Sequence, residues 1–89
     1  MKHVVKRSGK TEVFDERKLY ASIYAACIGV HESVGTAELV AERVCTTIQL
    51  WLRPKSEVSS TDIRLHAAKE LKQINAHAAF LYAHHRIMW

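Results

Sequence analysis

Along this chain the spacing of apolar positions changes period once. From Val4 to Phe14 it is extended: Val4 and Lys6 alternate with Val5 and Arg7, Ser8-Gly9 supplies a two-residue turn, and Thr11 to Phe14 resumes the alternation. The pattern predicts a basic β-hairpin. Asp15 then makes a good N-cap, with Phe14 before it and Leu19 after it forming a hydrophobic staple. From there the spacing is helical. Leu19, Ile23, Ala26, Cys27 and Val30 predict a first helix that ends near residue 28, where Gly29 marks the stop. His31 to Gly35 is a short polar connection, and Thr36 caps a second helix whose stripe is Val40, Val44, Ile48 and Trp51, with Leu52 beside it; Pro54 stops it. Ser59 with Asp62 resembles a capping box, and Val58 with Ile63 a staple, opening a third helix with the stripe Ile63, Ala67, Leu71 and Ile74. Asn75 caps a fourth, which carries Ala79, Phe80, Tyr82, Ala83 and Ile87. Glu57 and Val58 form a third short strand before helix three. The class expected is α+β, with short connections that favour antiparallel neighbouring helices.

Composition narrows this picture only slightly. Eighty-nine residues allow one domain, so residues 1–89 are read as a single unit with one modest core. Hydrophobic residues at 48% and charged residues at 25% exclude a disordered chain. Thirteen Lys and Arg against nine Asp and Glu give a net charge of +4, which points to an anionic partner without saying which anion. The excess falls short of the clustered basic stripe of a dedicated DNA reader, so DNA is not the expected partner. Cys27 and Cys45 occupy apolar helical positions with no Cys-x-x-Cys spacing, as expected for buried free thiols. No apolar run is long enough to cross a bilayer and the N-terminus is too polar for a signal peptide, so no membrane partner and a cytoplasmic location are expected.

The basic hairpin feeding a capped helix has the layout of an anion cradle, although a Lys/Arg-rich hairpin can equally be a solvated edge that blocks sheet pairing. Its sequence carries more than spacing. The run from Val4 to Leu19, written V-x-K-R-x-G-x-x-x-x-F-D-x-x-K-L, resembles the signature of the ATP-cone, the small regulatory nucleotide-binding domain found at the N-terminus of ribonucleotide reductase large subunits. Val58-Ser59-Ser60-Thr61-Asp62-Ile63 is similar to a later segment of that family, and Ala79-Phe80-Leu81-Tyr82-Ala83-His84-His85-Arg86 to its closing helix. Three blocks in order from residue 4 to residue 86 are specific where a lone K-R-x-G is weak. The fold that the resemblance implies is a small four-helix bundle capped by a three-stranded β-sheet, in agreement with the pattern reading.

The resemblance also implies a ligand, ATP or dATP, with Mg²⁺ bridging phosphates. A triphosphate needs donors from more than one direction, and Lys6 and Arg7 on the first strand with Lys18 in the first helical turn are placed to supply them. Lys18 follows the cap closely, where a cation opposes the helix dipole; as a structural residue it would pair with an acid such as Asp15. Gly9 offers positive φ and close backbone approach, and Val5 an apolar floor for adenine, although turn and strand core account for them equally. Glu12 stands where family members often carry a glutamate near the base, Ser60 where they place a hydroxyl near the phosphates, and Arg86 where the last helix offers a basic group. Ser8 stands where many relatives have Asp and His85 where Tyr is common, so the choice between ATP and dATP is open. The chain ends at Trp89, with neither a reductase domain behind the cone nor the zinc ribbon of the family's transcriptional repressors before it, and is expected to be a cone on its own.

Catalytic readings fare worse. No nucleophile elbow and no P-loop are present, and His66, His77 and His84 lack acidic or cysteine company in metal spacing. The expectation is a non-enzymatic module that binds adenine nucleotide and controls self-association, as a homo-oligomer, or a partner such as a ribonucleotide reductase subunit. The alternative is a nucleotide-responsive transcriptional regulator that binds DNA; a nucleotide-hydrolysing enzyme ranks third.

Overall fold

A computed structural model describes residues 2–84. The elements among them are β1 (His3–Val5), β2 (Thr11–Val13), α1 (Glu16–Gly29), α2 (Val34–Leu52), β3 (Glu57–Ser59), α3 (Ser60–Ile74) and α4 (Ala76–His84). The class is α+β, with four helices and a mixed three-stranded sheet of order β2-β1-β3. β1 is central: antiparallel to β2, with Val4 opposite Glu12, and parallel to β3, with Val4 beside Val58 and Val5 beside Ser59. Val4 and Val58 are buried, so this side of the sheet joins the helical core.

The hairpin turn differs from expectation. Lys6 N–H donates to Lys10 O (2.7 Å) and Gly9 N–H to Lys6 O (2.9 Å), closing a three-residue loop of Arg7, Ser8 and Gly9 with Gly9 at φ +90°. This is a turn ended by a left-handed glycine bulge, and it needs Gly for its dihedral rather than for room, because a Cβ there would meet no atom within 4 Å. The extra residue matters beyond the turn. Closure on Ser8-Gly9 alone would set Val5 opposite Glu12, whereas the bulge moves Glu12 opposite Val4 and so turns its side chain to the face shared with Val4 and Lys6.

Helix boundaries follow local chemistry. Asp15 caps α1 through Arg17 N–H (2.9 Å), and Phe14 packs on the core. α1 ends at Gly29, within a residue of the expected stop; Val30 is the C-cap, and the left-handed residue is His31 at φ 69° rather than the glycine. What Gly29 provides is clearance, since a Cβ there would lie 2.5 Å from Leu81 Cδ2 of α4. The cap of α2 is Ser33 rather than Thr36; Ser33 Oγ accepts from Thr36 N–H (3.2 Å), adding a turn to the helix. Ser59 caps α3 through Asp62 N–H (3.0 Å) and Asn75 caps α4 through Ala78 N–H (3.0 Å), as the sequence indicates.

The helices pack α1 on α2, α2 on α3, α3 on α4 and α4 on α1. Leu19, Ile23, Ile48, Leu52, Ile63 and Leu71 are the largest fully buried apolar side chains. Small residues complete the core: Ala37, Ala41, Ala67 and Ala78 are wholly enclosed and let the helices approach closely. Two stripe assignments fail. Ile74 is exposed at the end of α3, and on α4 the inward residues are Ala78, Ala79 and Tyr82 while Phe80 and Ala83 face out. Ile87 lies outside the described residues. At the other end, Lys2 Nζ donates to the carbonyls of Arg53 (2.6 Å) and Lys55, fastening the first strand to the end of α2. Asn75 Nδ2 donates to Glu32 Oε2, tying the α1–α2 connection to the α4 cap.

Candidate functional site

The hairpin, the first turn of α1 and the start of α3 place most of the expected residues. Lys6 extends the Val4 face of β1, and Glu12 on β2 shares that face, making the two diagonal cross-strand neighbours. Lys6 Nζ meets Glu12 Oε1 at 2.8 Å. The other carboxylate oxygen, Oε2, faces Lys18 Nζ at 3.7 Å from the first turn of α1. One carboxylate therefore stands between two ammonium groups that belong to different elements. Lys6 hydrogen-bonding lowers the Glu12 carboxyl below its ordinary value, desolvation opposes this, and the charges of Lys6 and Lys18 add to the lowering.

Lys18 thus pairs with an acid, as a structural residue would, but with a different one from the example the sequence suggests. Its acid is Glu12, not Asp15, because the Asp15 side chain is committed to Arg17, accepting from its backbone N–H at 2.9 Å and lying 3.5 Å from its Nε. Asp15 is also held below its usual range: partial desolvation works upward, and the Arg17 hydrogen bonds and charge outweigh it.

Around this core of three charges lie the remaining residues. Arg7 in the turn and Lys10 just after it are exposed and without an ion pair to a described residue. Val5 is half-buried and points to the opposite sheet face from Lys6. Ser60 opens α3 directly after Ser59, the register partner of Val5, so the parallel pairing brings the α3 N-terminus to the same end of the sheet as Lys6 and the turn. Ser60 is buried at 2% exposure, whereas the capping of α3 is done by Ser59; capping thus accounts for Ser59 alone. Arg86 lies outside the described residues. The sequence pattern does not join Lys6, Glu12 and Lys18 into a unit, and the signal that does is the turn: only the three-residue loop puts Lys6 and Glu12 on one face.

Chemically, the cluster offers two primary ammonium groups, an exposed guanidinium, a glycine turn and a helix N-terminus at one end of the sheet, all suited to phosphate oxygens. Residues 6 to 18 carry five Lys and Arg against three Asp and Glu. Two of the histidines stack on aromatic rings away from this cluster. His66 stacks on Trp51 with ring centroids 4.6 Å apart, and Lys55 Nζ lies 4.8 Å over the same Trp51 ring; His84 stacks on Phe80 at 4.0 Å. Among the described residues, no three His, Cys, Asp or Glu side chains gather as metal ligands, and no helix is long and apolar enough to cross a membrane. Both cysteines are free and buried, their thiols pushed up to about 12 by burial, with Glu32 adding to the effect on Cys27 and Glu16 to that on Cys45.

Compared with known proteins, the chain is matched over residues 2–89 by the family model described as the ATP cone domain. No curated protein matches it.

Proposed function

The chain belongs to the ATP-cone family, a regulatory, non-catalytic class of adenine-nucleotide-binding domain, and on that premise we propose that it holds ATP or dATP at the Lys6–Glu12–Lys18 cluster and uses the bound nucleotide to control assembly. The observation that carries the site is the shared carboxylate. Glu12 keeps Lys6 and Lys18 close to each other without a ligand, and a triphosphate, with more charge than one carboxylate, takes over both cations. Arg7 and the Gly9 turn approach the phosphates from the hairpin, and Ser60 and the α3 N-terminus from the sheet end. Glu12 serves the base and ribose side, whereas Val5, on the opposite sheet face, stays outside this cluster. Phosphates held by Lys6, Arg7 and Lys18 would bring Mg²⁺ with them, and the ion would supply further neutralisation of their charge.

The regulated partner is a second copy of the chain or a ribonucleotide reductase subunit. Either way the nucleotide must bind two states with different affinity, since equal affinity shifts no equilibrium. Ligands drawn from the hairpin, α1 and α3 give it that leverage, because their relative positions set its affinity. Calorimetric titration with ATP, dATP and GTP, coupled to light scattering, tests the reading. Saturable heat with ATP or dATP and not with GTP, together with a change in scattering, is expected. Absence of heat with both adenine nucleotides in magnesium buffer overturns it.

A further inference from the structure

The outward face of α2 and the groove between α3 and α4 are both unpartnered in the described fold, and they point away from each other because α2 packs on α1 and α3 while α4 packs on α3 and α1. On α2, at about 100° per residue, Leu39, Thr46 and Leu50 fall in one outward line. Leu39 is 70% exposed and Leu50 56%, and the Thr46 hydroxyl is taken by the Glu42 carbonyl at 2.9 Å. The flank of this line toward α1 is acidic. Glu38 and Glu42 stand there beside Tyr20, whose phenol is pushed upward first by desolvation and then by these two carboxylates. Neither acid forms an ion pair with a described residue. On the other flank Arg43 borders a cleft with Glu70 and Gln73 of α3.

The α3–α4 groove has the complementary character. It is about 480 Å³ in volume, floored by Ala68 and Ala79 and walled by Leu65 and Phe80, each 64% exposed. Its α3 rim carries Lys69 and Lys72, and among its described lining residues there is no acid. A floor of alanines between large apolar walls is the shape that receives a protruding leucine. A lysine rim selects a line flanked by carboxylates.

We propose that the outward line of α2 in one copy, centred on Leu39, docks in the α3–α4 groove of a second copy, with Glu38 and Glu42 against Lys69 and Lys72. Arg43 then lies on the side of the exposed Phe80 ring, a favourable cation–π placement rather than a clash with the lysines. Because the two faces differ and point away from each other, the contact is heterologous and adds copies head to tail. It deepens the assembly half of the proposed function, and it uses none of the nucleotide residues.

The test is sedimentation of the full chain without nucleotide across micromolar to millimolar concentrations, for wild type, for Glu38→Lys with Glu42→Lys, for Lys69→Glu with Lys72→Glu, and for an equimolar mixture of the two variants. All four positions are exposed, and circular dichroism verifies folding; Leu39→Ser provides an uncharged second variant. The expected result is concentration-dependent growth of the wild type, association at least about tenfold weaker in each variant alone, since like charges then face each other, and recovery in the mixture, where intact faces meet and the reversed faces also complement each other. A wild type that stays monomeric overturns the contact. So does either charge variant associating like wild type, as a symmetric α2–α2 pairing would make the lysine variant do, or a mixture that fails to recover. Calorimetry with ATP on the same variants separates the two claims: lost assembly with retained nucleotide binding bears on this contact alone, and lost nucleotide binding in the wild type on the site alone.

Discussion

Replacing Lys18 by Ala separates a phosphate ligand from a surface cation, because the structure assigns it little to do in the unliganded fold. Its ammonium is 3.7 Å from Glu12 Oε2, and the two side chains are 42% and 41% exposed. A pair so open to water and salt contributes little. Lys6, at 2.8 Å from the other oxygen, holds the carboxylate without it. Against that small loss stands the position of Lys18 in the first turn of α1, where a cation opposes the helix dipole at a cost of about 0.3–1 kcal/mol. Apo stability should therefore stay level or rise slightly. Binding should change much more: a charge-assisted hydrogen bond to phosphate is worth about 1.5–3 kcal/mol, which is roughly a 10- to 150-fold loss of affinity. Lys10→Ala, at an exposed turn position without an ion pair to a described residue, is the control for net charge. Calorimetric ATP affinities and apo melting curves for the two variants decide the matter. Equal, small effects at both positions would refute the placement of the phosphates.

Adenine nucleotide at about 100 times its dissociation constant should stabilise the fold by roughly 2.7 kcal/mol and raise the melting temperature by on the order of 10 °C in a domain this small; no shift in scanning fluorimetry with millimolar ATP or dATP contradicts the site. Glu12 has a lowered carboxyl in the folded state, so its contribution is present above the unfolded value and lost as pH falls through the folded one; the melting-temperature advantage of wild type over Glu12→Gln should vanish below the ordinary value of 4.5, and an advantage that grows with acid would reverse the sign of the argument. Ser59→Ala removes the α3 cap and should cost about 1 kcal/mol in chemical denaturation, while Ser60→Ala, which removes no cap, should act mainly on ATP affinity. Cys27 and Cys45 should stay unlabelled by thiol reagents in the native protein and react only on unfolding; fast native labelling would contradict their burial.

The elements were legible because their signals are local. Asp15, Ser59 and Asn75 each cap the helix that the sequence assigns to them, and the third strand falls at Glu57 and Val58. Errors arose where a local signal competes with one from across the fold. Gly29 does mark the end of α1, yet not through a left-handed dihedral, which falls at His31; its missing side chain instead leaves room for Leu81 of α4. Ser33 wins the α2 cap over Thr36, whose own backbone N–H becomes the donor. Phe80 and Ile74 fit an apolar periodicity but stand outside the covered part of it: Ile74 is the last residue of α3, beyond the buried Ile63, Ala67 and Leu71, and Phe80 is on the outer side of α4, whose inner side is filled by Ala78, Ala79 and Tyr82. Apolar identity sets the stripe, and neighbour packing decides which edge of it is covered.

For the site, residue types were legible and their connections were not, since those depend on register. The loop Arg7-Ser8-Gly9 is one residue longer than the turn read from Ser8-Gly9, and in a strand one residue is the difference between two faces. With that residue Glu12 joins Lys6 and comes within reach of Lys18. The consequence for the proposed site is physical: phosphate reaching Lys6 and Lys18 would displace a carboxylate that already neutralises part of their charge. On that proposal net affinity is a difference between two sets of charge-assisted contacts, and a displaced Glu12 would be released to turn toward ribose or base hydroxyl and amino donors. Removing the competitor while keeping the shape, as Glu12→Gln does, tightens inorganic triphosphate and weakens the gain that adenosine adds to it. Titrating both ligands against both proteins reads the two effects separately, and a variant that binds triphosphate no better than wild type would show that Glu12 does not compete for Lys6 and Lys18.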